Sequence, residues 1–362
     1  MRFVFLSYNY SPDIRSPQEW VDRIRFYVGW LECLAKNHTV IRVDQINYEG
    51  EFVHNGVQYH FVNNGKAKDL FPHKLNRFVK NLQPDVVIIS SFMFPLQLIQ
   101  LRLQLGNRVK IVVQHHAEKP FTGAKKLLQN MASKKTDAGI FASMDIGKAW
   151  IKSGNLNPSM NISEIVGGTS VFYPTDKHLA KQKTNCNGAP VFLWVGRLNP
   201  NKDPLTAVKA FARFAEHQPA ARLYMIYQTT ELLPAIKELI PPHRSDAFVL
   251  IGKVEHNELL YWYNSADFYL SASHYEGSGT ALCEAMSCGC IPVVSNIPSF
   301  RMINGNCGLL YEPGDVDGLF AALQQTQHLN MQDQRTKTLL HFKNQLSFEA
   351  IAIKFQEMVA SL

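Results

Sequence analysis

Short buried-type runs alternate with amphipathic stretches along most of this chain, and that alternation leaves few folds open. Arg2–Ser7, Thr39–Asp44, Val86–Ser90, Lys110–Val113, Gly139–Ser143 and Ile162–Val166 read as strands. Helical patterns fall between them, over Trp20–Lys36 and over Phe71–Leu82. In the latter, Phe71, Leu75, Phe78, Val79 and Leu82 lie on one side, with Lys74, Arg77 and Lys80 elsewhere. Strand, helix and strand repeated in this way predict an α/β protein with parallel sheets and helices on both faces. A chain of 362 residues outgrows a single core, so two domains are expected. The stretch Pro174–Pro190 is rich in lysine, asparagine and turn formers and precedes a fresh strand. The expected division is therefore 1–175, 188–345 and a last helical segment, 346–362.

The second half carries the chemistry. Phe192–Val195 reads as a buried strand ended by Gly196-Arg197-Leu198-Asn199-Pro200-Asn201-Lys202-Asp203-Pro204. Asp203 suits an N-cap and Pro204 the first helical position, ahead of the apolar series Leu205, Val208, Phe211 and Phe214. Arg197 and Lys202 thus share one strand-to-helix loop at the carboxyl end of a strand, where open α/β sheets bind ligands. A guanidinium fork and an ammonium beside a helix N-terminus suit a diphosphate, although basic loop residues are commonly only solvated.

Further on, Glu276 and Glu284 bracket a glycine-containing loop and the start of a helix expected near Ser278. Both carboxylates can face one cleft there, and as acceptor-only groups they suit a polyhydroxylated ligand. The alternative is a solvated acidic face. Gly277-Ser278-Gly279 is not a dinucleotide fingerprint, because the third glycine and the distal ribose-binding acid are missing.

These motifs resemble those of the retaining nucleotide-sugar glycosyltransferases of family 4, of GT-B architecture. The resemblance runs over 190–320, through Val195-Gly-Arg-Leu198 with Lys202, Phe248–Val254, Asn264–Leu270, Ser273–Gly277, Glu284-Ala-Met286, Gly289–Val294 and Gly308–Tyr311. It implies two Rossmann-like domains facing a central cleft, with acceptor bound by the first and donor by the second. It implies that Arg197 and Lys202 hold the donor diphosphate, that Glu276 contacts the transferred sugar, and that Glu284 accepts from the ribose. The Gly277, Ser278, Gly279 and Thr280 backbone would approach the sugar and distal phosphate. Gly252 and Val254 would line the base. No metal or other cofactor is implied, and the last helix would cross back to the first domain.

The first domain conforms less. Where the family carries a glycine pair after its first strand, this chain has Tyr8–Trp20 without one, leaving Arg15 and Ser16 as candidate substitutes. Val112–His116 ends a strand where the family has a histidine contacting the donor sugar; by register this is His116, with His115 the alternative. Gly167-Gly168 matches a family turn near the cleft, with Gly168 a candidate contact, or is a plain tight turn.

Residues 1–180 hold 22 Lys+Arg against 14 Asp+Glu, a net +8, and the remainder carries −1. The first domain's field therefore suits an anionic acceptor or an acidic membrane surface. Lys119, Lys125, Lys126, Lys134 and Lys135 flank Leu127, Leu128 and Met131 in a candidate interfacial helix, which is otherwise a solvated basic one. No recognition motif for nucleic acid accompanies the charge. Six scattered cysteines suit a reducing compartment. The run Val86–Leu101, broken by Pro95, falls short of a membrane span, and the start of the chain carries no evident secretory signal. A cytoplasmic protein, peripheral at the inner membrane face, is the resulting expectation.

The expected reaction is transfer of a sugar from a nucleoside-diphosphate sugar to a glycan or lipid-linked acceptor hydroxyl, with retention, in polysaccharide or glycolipid assembly. Two alternatives share the architecture: a nucleotide-sugar epimerase, and a non-catalytic nucleotide-sugar-binding subunit.

Overall fold

The computed structural model describes residues 1–63, 70–116 and 118–362, which form two compact units: 1–168 with 348–362, and 169–347.

The first unit runs β1 (Arg2–Ser11), α1 (Pro17–Ala35), β2 (Thr39–Ile46), β3 (Gly50–His54), β4 (Val57–Val62), α2 (His73–Asn81), β5 (Val86–Ser90), α3 (Pro95–Leu105), β6 (Lys110–Gln114), α4 (Ala124–Ser133), β7 (Ala138–Phe141), α5 (Met144–Lys152) and β8 (Asn161–Glu164). Its sheet has the order β3-β4-β2-β1-β5-β6-β7-β8, parallel except where β3 pairs antiparallel with β4. The direction of winding changes between β1 and β5. Val4, Leu6, Val43, Val87, Ile89, Ile111 and Val113 fill a core covered by Leu75 and Val79 of α2, Leu98 and Leu101 of α3 and Trp150 of α5. Each such aliphatic side chain contributes roughly 1.5–3 kcal/mol on burial.

The second unit runs α6 (Lys177–Thr184), β9 (Val191–Gly196), α7 (Pro204–His217), β10 (Arg222–Tyr227), α8 (Leu233–Leu239), β11 (Phe248–Gly252), α9 (Leu259–Ser265), β12 (Phe268–Ser271), α10 (Thr280–Ser287), β13 (Ile291–Ser295), α11 (Pro298–Asn304), β14 (Leu309–Tyr311), α12 (Val316–Gln325) and α13 (Met331–His341). Its all-parallel sheet is ordered β11-β10-β9-β12-β13-β14, so the winding reverses between β9 and β12. Phe192 of β9 stacks on Phe268 of β12 with ring centroids 4.9 Å apart. Phe211 and Phe214 of α7 close over Phe192 edge-on. This aromatic knot fixes the two strands on either side of the reversal.

A final helix, α14 (Phe348–Ala360), packs on α1 in the first unit. Gly29 makes the approach possible, since a Cβ there would lie 2.5 Å from the Phe348 ring.

Most predicted elements exist with shifted ends. β1 extends to Ser11, beyond the expected Ser7, because Tyr10 and Ser11 pair again with Gln45 and Ile46 after an irregularity. The β3–β4 hairpin was not expected at all. The chain divides at Gly168/Thr169, ahead of the turn-rich stretch that composition marks. The reason is packing. Within that stretch α6 lies against α9, and Lys177 forms an ion pair with Asp267 of the second unit. Each unit is thus a doubly wound, Rossmann-like α/β domain, as the alternation predicts.

Candidate active site

Ligands of doubly wound sheets bind beyond the carboxyl ends of the strands where the winding reverses. In the second unit those ends are Gly196 of β9 and Ser271 of β12. The loops that leave them, 197–203 and 272–279, are laced together. The Asn201 side chain donates to the Tyr275 carbonyl at 3.0 Å, and the His274 backbone N–H donates to the Asn201 carbonyl at 2.8 Å. Asp203 accepts from Thr206 N–H at 3.2 Å, capping α7, and its other oxygen meets His274 Nε2 at 3.2 Å. Asp203 takes a left-handed backbone, φ 41°, which a non-glycine residue holds only with such local bonds. The predicted cap with Pro204 behind it is present, and Val208, Phe211 and Phe214 are buried as the apolar periodicity requires.

These loops place a cation and an anion face to face. Lys202 Nζ is ion-paired with Glu276 Oε1, and Ser273 Oγ donates to the same oxygen at 2.7 Å. Arg197 is exposed, with no side-chain partner among the described residues. Arg197 and Lys202 line one hollow of about 410 Å³, together with Asn199, Asn201, Val254 and Ala281. Val195 and Gly196 form its strand end, and Tyr227 and Gln228 lie at the neighbouring strand end. Gly252 holds φ 84°, a conformation that favours glycine, and a Cβ there would project into open space.

The helix expected near Ser278 begins at Thr280, with Gly279 as its N-cap residue at φ 56°. A Cβ at Gly279 would meet Ile303 Cδ1 at 2.5 Å, so glycine is required twice over. Ser278 Oγ lies 3.2 Å from Thr280 Oγ1, and Gly277 precedes them in the bend.

Glu284 is only 4% exposed, and both its oxygens have partners. His256 Nε2 meets Oε1 at 2.8 Å, and the Tyr263 hydroxyl donates to Oε2 at 3.0 Å. The hydrogen bond to Glu284 pushes the His256 imidazole above the usual histidine range. Burial drives the Tyr263 phenol far above its ordinary value, so it remains a donor. The spacing places Glu284 one turn beyond Thr280 but does not foresee this cage. His256 and Tyr263 had no local signal beyond Glu255 and Glu258, which form a capping box around the single 3₁₀ turn His256–Glu258.

In the first unit, Tyr27 OH lies 2.8 Å from His116 Nε2, and the two rings sit 4.6 Å apart. Burial pushes the His116 imidazole down to about 4, against an opposing effect of Glu118. The Glu118 carboxylate accepts from Phe92 N–H at 2.7 Å and from His116 N–H at 2.6 Å. His115 is instead a packing residue, buried on the Phe141 ring at 5.2 Å, with Nε2 at 3.0 Å from the Glu118 carbonyl. A Cβ on Gly167 would lie 3.9 Å from His116 Nδ1, and Gly168 ends the unit. The Ser16 hydroxyl caps α1 by accepting from Glu19 N–H at 3.2 Å, a use that the sequence alone does not assign to it. Arg15 is exposed, its backbone N–H donating to Glu19 at 3.4 Å.

All six cysteines are free thiols, and five are buried. Among the described residues no helix is long and apolar enough to cross a membrane.

Residues 176–338 match the family model described as glycosyl transferases group 1. This part of the chain is a group 1 glycosyl transferase domain. It contains Arg197, Lys202, Glu276 and Glu284. The Escherichia coli O-antigen chain mannosyltransferase B is 40% identical over 76 residues, 21% of this chain and 20% of that protein. The Mycobacterium tuberculosis glycogen synthase is 32% identical over 139 residues, 38% of this chain and 34% of the synthase. The chain thus spans about a third or less of the length of these two curated relatives. Among solved structures, sucrose-phosphate synthase from Thermosynechococcus elongatus superposes with TM-score 0.73 at 16% identity, covering 100% of this chain and 99% of that one. The Anabaena protein HepE, solved with UDP and glucose, superposes at 0.69 and 14% identity over 100% of both. At these identities the two likenesses speak for the fold alone.

Proposed function

We propose that the protein is a retaining glycosyltransferase of family 4 type, moving a sugar from a nucleoside-diphosphate sugar to an acceptor hydroxyl in polysaccharide or glycolipid assembly. The observation that carries this is the Lys202–Glu276 pair at the β9/β12 reversal, beside Arg197. A diphosphate entering the hollow offers Lys202 and Arg197 a doubly charged partner in place of Glu276. Glu276, released, turns its acceptor oxygens to the hydroxyls of the sugar. As the anomeric bond lengthens, negative charge gathers on the departing diphosphate, and two fixed cations stabilise it most at that point. Positioning and charge then carry the rate, with no metal in the scheme. Glu284 takes the ribose, Gly252 and Val254 flank the base, and Gly277–Thr280 approach the sugar and distal phosphate. UDP together with glucose, the pair bound in the Anabaena neighbour, is one instance of such a ligand set.

Within the first unit, His116 is proposed as a neutral hydrogen-bonding group toward a sugar, its low basicity keeping it uncharged near pH 7. The acceptor is a glycan or lipid-linked alcohol held by the first unit. A specific observation favours a membrane surface as well. On α4, Leu127 is 67% and Met131 57% exposed, between Lys125 and the pair Lys134 and Lys135. Apolar side chains ringed by lysine suit the acidic inner face of a cytoplasmic membrane.

The test is a panel of UDP-, GDP- and ADP-linked sugars scored by thermal shift, then by transfer to acceptor extracts. Stabilisation by one donor and transfer with retained configuration is the expected result. No stabilisation by any member would end the proposal, and an epimer formed from donor alone would replace it with isomerisation. Co-sedimentation with phosphatidylglycerol vesicles, lost in a Leu127→Ser/Met131→Ser variant, tests the membrane surface separately.

A further inference from the structure

The cage around Glu284 is asymmetric. Tyr263, on α9, is fully buried and holds Oε2 from behind. His256 holds Oε1 from the open side, with more than half of its side chain exposed at the end of a short turn. The Phe172 ring lies 5.0 Å from the imidazole and 6.0 Å from the Tyr263 ring, centroid to centroid, so one aromatic side chain neighbours both partners of Glu284. Glu284 itself does not line the hollow, although Ala281, one turn earlier on α10, does. The carboxylate assigned to the ribose is therefore covered by a side chain that the proposed function does not use.

We propose that His256 is a specificity-determining residue of the donor site: it caps Oε1 of Glu284 while the site is empty and yields that oxygen only to a ribose carrying its hydroxyls. This rests on the reading of Glu284 as the ribose acceptor. A buried carboxylate oxygen left without a donor is costly, so the cap stabilises the empty site and must be matched by whatever displaces it. A ribose hydroxyl matches it. A 2′-deoxy sugar matches it less well, and the histidine then stays in place. The cap thus competes with the hydroxyls it yields to, and it narrows the margin by which the site prefers a ribonucleotide to its deoxy form.

The measurement is titration calorimetry of the whole chain with UDP, GDP and ADP, then with the 2′-deoxy form of whichever binds. In His256→Ala, Oε1 lacks its resident donor, and the ribonucleotide should bind roughly threefold to tenfold more tightly, the worth of one recovered hydrogen bond. The deoxy form should change less, so the ratio between the two widens. An unchanged or narrowed ratio in His256→Ala overturns the cap. Glu284→Gln separates this from failure of the underlying reading. If it leaves the ribose-to-deoxyribose ratio at the wild-type value, Glu284 is not the ribose acceptor and both ideas fall. If it lowers the ratio while His256→Ala leaves it alone, only the cap falls. Rescue of the wild-type ratio by His256→Gln, which can donate to Oε1, is expected if the cap acts through that one bond.

Discussion

Each unit of the molecule has a place where loops leave the carboxyl ends of central strands, and the two are finished in opposite ways. In the second unit the loops after β9 and β12 present charge that the protein only partly neutralises. Lys202 has Glu276, while Arg197 has no side-chain partner among the described residues. In the first unit the loops after β5 and β6 neutralise themselves. Glu118 supplies a carboxylate to the backbone N–H groups of Phe92 and His116, the kind of donors that elsewhere await an anion. Ser91, at φ 90°, is held in a sparsely populated conformation beside it, its N–H bonded to the Gln114 carbonyl at 2.8 Å. One crevice has positive charge to spare, and in the other, among the described residues, a carboxylate of the chain already occupies two backbone donors. An anionic group of a ligand is therefore expected at the former.

Four measurements bear on that contrast. The largest effect belongs to Lys202→Ala. It should lower turnover by about 3–4 kcal/mol in barrier, a loss of several hundredfold, with an unchanged melting profile; near-normal transfer would erase the distinction between the crevices. Glu118→Gln should do the reverse. One of two charge-assisted bonds to the backbone is lost, costing roughly 1.5–3 kcal/mol of stability by urea titration, with nucleotide affinity retained.

The third measurement is a stability profile against pH. Burial lowers the folded-state pKa of His116 to about 4, from 6.5, so the unfolded chain takes up this proton first as pH falls. Stability should be full above about 6.5 and decline toward pH 4, by on the order of 1–3 kcal/mol. His116→Gln should flatten that part of the curve; an identical slope in the variant would show the imidazole to be accessible and protonated at its ordinary pH. The smallest effect is Ser16→Ala, expected to cost about 1 kcal/mol of stability through loss of the α1 cap while leaving transfer intact. A drop in acceptor affinity without a change in stability would restore Ser16 as a ligand contact.

What the sequence discloses differs between the units for the same physical reason. The strand–loop–helix around Arg197 and Lys202 is legible because every part of it is local: Asp203 caps, Pro204 starts the helix, and the apolar series follows within a few residues. The hairpin β3–β4 was legible in principle. Asn55-Gly56, with φ 46° and 83°, has the chemistry of a two-residue turn, and Val57, Tyr59 and Phe61 alternate with Gln58 and His60 after it; only β3, with no buried residue, lacks a pattern of its own. The capping role of Ser16 was not read, because hydroxyls that cap and hydroxyls that bind look alike until a helix start is fixed three residues on. The partners of Glu284 could not be read at all. His256 and Tyr263 reach it from 28 and 21 residues away, through the packing of α9 and α10, and no periodicity encodes that meeting.

The lacing of 197–203 to 272–279 has a practical side for anyone who wishes to exchange donor preference between enzymes of this architecture. The two segments behave as one cassette. Transplanting only the first would leave Asp203 without its imidazole and Lys202 without its carboxylate, and transplanting only the second would leave Glu276 facing no ammonium. Chimeras should move both segments or neither.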